Sequence, residues 1–146
     1  MTDLDRAIVF ATEAHAGQLD KNGAPYILHP LRMVSSLARI QTIDEATLCA
    51  AVLHDTVEDC DGVRLGDILA LFGSPVHRLV DALTRRKGED YGEYIERVAV
   101  CQNATLIKLA DLEDNLDPSR GPVRPNIDRY LQARTYLMAV YGNRAL

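Results

Sequence analysis

The sequence predicts an all-α protein, a compact bundle of several short helices. Apolar residues recur at helical spacing in one segment after another, and glycine, proline, aspartate or asparagine separates these segments. No segment shows the period-two alternation or the density of β-branched residues that is typical of a strand. The 146 residues suffice for one core, so we expect a single domain over residues 1–146 without a second catalytic domain.

The first two helices are separated by a polar loop. Apolar residues from Leu4 to Ala14 form one stripe of the first helix, which is predicted to end near Gly17. The loop GQLDKNGAPY follows. The second helix is expected to begin at His29-Pro30, because proline is favoured in the first turn of a helix.

The third helix is predicted to be the central helix of the core. Asp44 is a suitable N-cap, and the residues that follow are apolar on nearly all sides up to His54. The helical pattern continues as far as Glu58-Asp59. We therefore expect one uninterrupted helix from the cap to these acids.

The second half of the chain predicts five more helices. One is expected to end at Phe72-Gly73, and the next to begin at a cap formed by Ser74. Asp90 and Asn103 are candidate caps for the two after that. The segment DPSRGPVRP then interrupts the chain, and a last helix is expected from about Asn126.

Composition and charge exclude several classes of protein. The formal net charge of -5 opposes binding to nucleic acid, which requires a basic surface. There is no long apolar run, and the acidic start MTDLDRAIVF differs from a signal peptide, so neither membrane spanning nor secretion is expected. Three cysteines without CxxC spacing favour a reducing compartment. A cytoplasmic protein is expected, and the sequence assigns no oligomeric interface.

The adjacent pair His54-Asp55 is a candidate metal-binding element. It lies at the end of the most hydrophobic helix, where a carboxylate is costly unless it is paired or bound to a metal. The alternative is a core histidine beside an ordinary helix-terminal aspartate. Glu58 follows at helical spacing, so its carboxylate could orient or deprotonate water; with Asp59 it could equally be a solvated helix end.

Further polar residues interrupt apolar surroundings elsewhere. Lys108, Asp111 and Asn115 fall on one stripe of a later helix, which is either a buried polar site or a solvated face. His29 could be a ligand or simply a helix cap. Two imidazoles and two carboxylates suit Mn, Fe, Zn or Mg, which indicates a possible metal-assisted hydrolase. The candidate set is His29, His54, Asp55 and Asp111.

Four motifs together resemble a known family. HAGQLDKNGAPYILHPLRM, AAVLHDTVED, FGSPVHRLVDALT and IKLADLEDNL are similar, in order and separation, to the hydrolase half of the RelA/SpoT alarmone enzymes and their small stand-alone relatives, the metazoan SpoT homologues. These are HD-domain metal-dependent phosphohydrolases. The resemblance covers about residues 5 to 116.

The resemblance implies roles for individual residues. The implied manganese ligands are His29, His54, Asp55 and Asp111. Glu58 and Asp59 would position or activate the attacking water. The implied substrate contacts are His15, Gln18, Lys21, Tyr26 and Asn115. Apart from the resemblance, the basic run Arg85 to Lys87 is either an exposed loop or a source of further charges for a phosphate.

The activity that the resemblance implies is metal-dependent hydrolysis of the 3′-pyrophosphate of (p)ppGpp to GDP or GTP and pyrophosphate. Two positions depart from the family pattern. Asp20 stands where the family usually has an arginine that contacts the nucleotide, and Leu112 replaces a basic residue. The alternatives are therefore an HD phosphohydrolase that acts on another nucleotide, and a non-catalytic regulator that binds a nucleotide.

Overall fold

The structure, a computed structural model, describes residues 1–145 and contains nine α-helices in this part of the chain. They are α1 (Asp3–Ala14), α2 (Leu28–Leu37), α3 (Glu45–Leu53), α4 (Thr56–Asp59), α5 (Leu65–Phe72), α6 (Ser74–Leu83), α7 (Tyr91–Val98), α8 (Gln102–Leu116) and α9 (Ile127–Ala145), with a 3-10 turn at Pro118–Arg120. The described residues form no strand, only an isolated bridge between Leu19 and Pro25. The all-α prediction is confirmed. Leu146, the last residue of the predicted domain, lies outside the described residues.

Helix α3 is the centre of the core, as the sequence predicts. It packs against α1, α2, α6 and α8, and its residues from Cys49 to Leu53 have no exposed surface. The small side chains of Ala50 and Ala51 let the neighbouring helices approach closely. Complete burial of a side chain such as Leu53 contributes about 1.5–3 kcal/mol. Because the second half of α3 is completely buried, His54 at its end also lies inside the protein.

The predicted uninterrupted helix from Asp44 to Asp59 is wrong. Helix α3 ends at Leu53, and α4 begins at Thr56 after a short turn. The Thr56 hydroxyl donates to the Leu53 carbonyl at 2.8 Å, and this carbonyl would otherwise accept a backbone N–H of the continuing helix. The turn brings His54 Nε2 to 3.0 Å from Asp55 Oδ2, so the side chains of these two consecutive residues approach each other.

Two predicted helix caps are confirmed and two are wrong. Asp44 and Asp90 accept backbone N–H groups of α3 and α7 at 2.9 and 3.2 Å. Ser74 makes no cap, because it is already inside α6. Asn103 lies within α8, where its amide donates to the Thr47 hydroxyl at 3.1 Å instead of capping the helix. Asn103 therefore links α8 to α3 rather than starting a helix.

The ends of the chain follow the predictions closely. Helix α1 ends at Ala14, and the turn after it reaches Gly17, whose φ of 78° favours glycine. Helix α9 begins directly after Asn126, which has a φ of 64°. None of the helices within residues 1–145 has the length and hydropathy needed to cross a bilayer.

Candidate active site

Two histidines and an aspartate from three helices meet in the interior. His29 lies in the first turn of α2, His54 directly after α3, and Asp111 in α8. The Nε2 atoms of His29 and His54 lie 2.9 and 3.6 Å from Asp111 Oδ1. All three residues are buried, and one ligand atom of each lies within 4.8 Å of the others. Packing of α2 and α3 against α8 therefore assembles a group that could hold a metal ion.

His54 shows why a cation fits this place. Its Nδ1 donates to the Ala51 carbonyl at 2.7 Å, which fixes the tautomer and leaves the Nε2 lone pair facing inward. That Nε2 is buried and has no hydrogen-bond partner within residues 1–145, although Asp55 Oδ2 is 3.0 Å away. A lone pair beside carboxylate oxygens is unfavourable unless a proton or a cation lies between them. Burial opposes a charged imidazole, but Asp55 and Asp111 outweigh burial and raise the His54 pKa well above its usual value.

Asp55 connects this group with a second acidic group. It accepts a hydrogen bond from the Tyr26 hydroxyl, and an oxygen of Asp55 lies within 4.8 Å of oxygens of Glu58 and Asp59. Burial opposes its ionisation, yet the nearby His54 imidazole outweighs burial and lowers the Asp55 pKa to about 2. The predicted ligands are thus neighbours in space, and their binding of a metal stays a prediction.

A hydrogen-bond chain behind His29 holds its ring in place. The Nδ1 of His29 lies 2.6 Å from Asp114 Oδ2, and the Arg32 guanidinium donates to both oxygens of Asp114 at 2.7 and 3.1 Å. Burial is outweighed by the bonds from His29 and Arg32, so the Asp114 pKa falls to about 2. With Nδ1 bonded to a carboxylate, Nε2 is directed toward Asp111, as in carboxylate–histidine–metal sites.

The polar stripe of α8 is one buried network. Lys108 Nζ lies 2.6 Å from Asp111 Oδ2, and the Asn115 amide donates to Asp111 Oδ1 at 2.9 Å. The Lys108 ammonium also lies 5.2 Å from the centre of the Tyr94 ring. Burial opposes ionisation of Asp111, but Lys108 and the two histidines outweigh it and hold its pKa well below the usual value. Of the two alternatives for this stripe, a buried site or a solvated face, the buried site is correct for Lys108 and Asp111.

Glu58 and Asp59 face the same place from α4. Glu58 Oε1 accepts the backbone N–H of Arg85 at 2.8 Å. Burial, followed by the charges of Asp55 and Glu58, raises the Asp59 pKa to about 6. Burial also raises the Glu58 pKa, against the effect of the Arg85 N–H. Carboxylates with a raised pKa beside a cavity are suited to proton transfer near neutral pH.

A cavity of about 540 Å³ opens in front of these acids. Five residues of its lining are acidic, which are Asp20, Asp55, Glu58, Asp59 and Asp111. The remainder contains six cations, which are Lys21, Arg85, Lys108, Arg120, Arg124 and Arg129. In a chain of net charge -5, this concentration of positive charge favours an anionic ligand.

Most of the predicted substrate contacts lie at this cavity. Gln18, Lys21, Tyr26 and Asn115 line it. His15 does not: it is buried, with Nδ1 2.8 Å from Gln18 Oε1 and 3.3 Å from Cys60 Sγ. Its position beneath the loop favours orienting Gln18 and does not support the predicted direct contact with a substrate. Of the basic run after α6, Arg85 lines the cavity, whereas Arg86 pairs with Asp81 at 2.7 Å.

Several cavity residues were missed from the sequence. Arg120, Arg124 and Arg129 come from the segment after α8, and Tyr91 comes from the start of α7. The available signal was the density of arginines in DPSRGPVRP and just beyond it, in a chain with few basic clusters. Asp114 and Arg32 were also missed, although Asp114 follows Asp111 at helical spacing.

Comparison with known proteins gives consistent relatives. A family profile described as HD domain matches residues 7–111. Proteins named guanosine-3′,5′-bis(diphosphate) 3′-pyrophosphohydrolase are 36% identical over 143 residues in Vibrio cholerae and 37% identical over 122 residues in Aquifex aeolicus. These matches cover 90% and 78% of this chain but 20% and 17% of the relatives, so the chain spans about a fifth of their length.

One solved structure is similar to this chain over most of the length of both. It is that of a metazoan ortholog of SpoT, described as hydrolysing ppGpp and playing a role in starvation responses. The TM-score is 0.79 at 30% sequence identity, and the match covers 97% of this chain and 86% of that one. The histidine–aspartate group, the four motifs and these matches agree, and the chain belongs to the HD-domain family.

Proposed function

We propose that this protein hydrolyses the 3′-pyrophosphate of (p)ppGpp. Water is consumed, the bond between the 3′ oxygen and the pyrophosphate breaks, and GDP or GTP and pyrophosphate are released. The observation that carries the proposal is the Nε2 lone pair of His54, which faces the carboxylates of Asp55 and Asp111. The acids Glu58 and Asp59 lie beside this group, at a cavity that is also lined by cations. Relatives named for this reaction support it.

The proposed metal ligands are His29, His54, Asp55 and Asp111, and the proposed ion is Mn²⁺. Imidazole and carboxylate together suit a borderline or hard divalent ion. A divalent cation bound there supplies Lewis acidity and lowers the pKa of water. Asp114 keeps His29 in the ligating tautomer, and Lys108 balances the charge of Asp111.

The proposed role of Glu58 and Asp59 is to orient and deprotonate the attacking water. Asp59, with its pKa raised to about 6, is ionised at neutral pH and can accept a proton from water. Glu58 is held by the Arg85 N–H and can orient the same water. The cations of the cavity, such as Lys21, would bind phosphate and balance the charge that develops during attack. Such a pair is unnecessary for binding alone, which argues against a non-catalytic regulator.

The two departures from the family pattern differ in position: Asp20 lies in the lining of the cavity, and Leu112 does not. Leu112 is completely buried and does not line the cavity. The Asp20 carboxylate is already bonded to the protein's own groups. Leu112 therefore gives no structural support for another nucleotide as substrate. Asp20 lies at the cavity, so such a substrate is the alternative outcome of the assay.

The assay is anion-exchange chromatography of products after incubation of the protein with ppGpp and Mn²⁺. We expect GDP and pyrophosphate, and loss of both with a chelator or with His54→Ala. His77→Ala is the matched control, since His77 lies on α6 outside the cavity lining. Intact ppGpp with the wild-type protein would refute the proposed substrate, and turnover by metal-free His54→Ala would refute the proposed metal site.

We also propose a domain unit, a ligand class and a cellular location for this protein. The proposed unit of function is residues 1–146 as one hydrolase domain, supported by the single hydrophobic core cluster of the described part. The proposed ligand is a small nucleotide rather than nucleic acid, in keeping with the pI of about 5.3. The proposed location is the cytoplasm, which the three free cysteines support.

A further inference from the structure

Buried polar atoms that lack a partner are concentrated at the cavity. Within residues 1–145 there are four such side-chain atoms, and one of them is His54 Nε2. The other three are Tyr91 Oη, Arg120 Nε and Arg129 Nε, and all three residues line the cavity. A buried donor without an acceptor is costly, so three of them in one lining indicate a place that receives acceptor atoms.

Arg129 is the cation best arranged for this purpose. Its guanidinium carbon lies 4.2 Å from the centre of the Tyr91 ring and 5.8 Å from that of Tyr130. Unlike Arg32, Arg97 or Arg120, it forms no ion pair within the described chain. Stacking uses the flat face of the guanidinium and leaves the N–H groups at its edge available.

Tyr91 also has an unused donor beside this arginine. Its ring packs against Arg129, and the Arg85 guanidinium lies 5.5 Å from the same ring. Two cations on one tyrosine bring positive charge to its surroundings, while its hydroxyl has no acceptor within residues 1–145. A phosphate oxygen would satisfy both the hydroxyl and the guanidinium edge.

We propose that Arg129 and Tyr91 form a phosphate-binding subsite of the cavity, in which the Tyr91 ring positions the Arg129 guanidinium. The ligand is a phosphoryl group of the substrate; its assignment to a nucleotide rests on the proposed function. That substrate carries phosphoryl groups in two places: the phosphates that stay on the nucleoside, and the pyrophosphate that is released. The subsite holds one or both of these through the same chemistry.

Isothermal titration calorimetry in the presence of a chelator tests the subsite. Because no divalent metal is then bound, the affinity for a phosphate depends on the protein's own side chains. The probes are GDP, inorganic pyrophosphate and guanosine. We expect Arg129→Gln to bind GDP, pyrophosphate or both about tenfold to a hundredfold more weakly and guanosine unchanged. A loss for GDP alone assigns the subsite to the nucleoside phosphates, and a loss for pyrophosphate alone assigns it to the leaving group.

Three variants make the test specific. Arg134→Gln removes an arginine on the same helix that lies outside this cavity and should bind all probes like the wild type. Tyr91→Phe keeps the ring and should lose only about threefold to tenfold, whereas Tyr91→Leu removes the stack and should approach Arg129→Gln. Arg129→Lys keeps the charge without the planar fork and should be intermediate.

Two results would overturn the subsite. One is an Arg129→Gln protein that binds both phosphate probes like the wild type; the other is an equal loss for guanosine, which would indicate a general structural defect. Circular dichroism checks that each variant is folded. Since titration involves no turnover, a protein that fails to hydrolyse ppGpp would refute the proposed function and still give a valid answer here.

Discussion

Arg120 donates to Asp20 in the lining of the cavity, with Nη2 3.3 Å from Oδ2, although the two residues are far apart in sequence. The other oxygen of Asp20 accepts the backbone N–H groups of Asn22 and Ala24 at 2.9 and 3.0 Å. Each carboxylate oxygen therefore serves the loop or the arginine. The family resemblance leads one to expect an arginine at position 20, and such an arginine would be repelled by Arg120. The aspartate at position 20 is therefore complementary in charge to Arg120.

Asp20→Asn should lower stability without changing base preference. The variant keeps the loop turn but weakens the bond to Arg120, which is a hydrogen bond between charged groups, so we expect a loss of about 1–3 kcal/mol in the free energy of unfolding. Urea unfolding measures this loss. The ratio of kcat/KM for the guanine and adenine forms of the substrate should stay the same.

Asp61→Asn is the control for this change, because Asp61 is exposed and forms no ion pair within residues 1–145. It should be as stable as the wild type. A changed base ratio in Asp20→Asn but not in Asp61→Asn would show that position 20 reads the substrate after all.

Local pattern was sufficient to predict most of the helices, and it failed where side chains compete with the backbone. The apolar run before His54 predicts a buried central helix, and α3 is buried. The break after Leu53 depends on the Thr56 hydroxyl, whose choice of acceptor is decided by tertiary packing and has no periodic signal. Asn103 shows the same limit, since its partner Thr47 belongs to a distant helix.

The acidic part of the site was predictable, and much of its basic part was not. His54, Asp55 and Asp111 stand out because charged or polar groups in apolar helices require partners. Arg120 lies within the chain-breaking segment DPSRGPVRP and Arg129 follows it, so neither interrupts an apolar helix in a way that requires a partner. Their approach to the cavity depends on how the chain after α8 returns over the loop, which only the folded structure defines.

Lys108→Met should destabilise the protein strongly. Removal of the ammonium leaves Asp111 buried without its cation, and breaking a buried pair in this way costs about 3–5 kcal/mol. Urea unfolding in chelator measures the loss. With Mn²⁺ added the loss should be smaller, because a bound cation then balances Asp111. Lys87→Met on the exposed loop is the control, and a Lys108→Met protein as stable as this control would contradict the prediction.

The Glu89–Arg97 pair should make stability depend on acid pH. Arg97 donates to both oxygens of Glu89 at 2.9 and 3.0 Å, and these bonds lower the Glu89 pKa from its usual 4.5 to about 2. A lowered pKa in the folded protein means that ionised Glu89 favours folding above pH 4.5 and that this contribution disappears as the pH falls toward 2.

Glu89→Gln should therefore be less stable than the wild type at neutral pH, and the difference should close between pH 4.5 and 2. Urea unfolding of both proteins across this range measures it. The comparison cancels the titration of other carboxylates. Glu96→Gln, at an exposed position of α7, the helix that carries Arg97, should show a much smaller change. A pH-independent difference for Glu89→Gln would count against the pair.

Tyr26→Phe should weaken metal binding. The Tyr26 hydroxyl donates to Asp55 Oδ2, the same oxygen that lies 3.0 Å from His54 Nε2. Loss of a group that orients a metal ligand typically reduces affinity about 10-fold to 100-fold. Titration with Mn²⁺ measures this directly, and Tyr136→Phe, at an exposed position of α9, is the matched control.

The same variant separates two roles of Tyr26, which both lines the cavity and bonds to Asp55. If the hydroxyl acts through Asp55, Tyr26→Phe loses Mn²⁺ affinity while its affinity for GDP in chelator stays the same. The opposite pattern, with normal Mn²⁺ affinity and weaker GDP binding, would make Tyr26 a substrate contact and would remove its hydroxyl from the support of the metal site. Asp55 lies between the group of His29, His54 and Asp111 and the pair Glu58–Asp59. This position favours the first pattern, since the Asp55 side chain needs a fixed orientation to face His54.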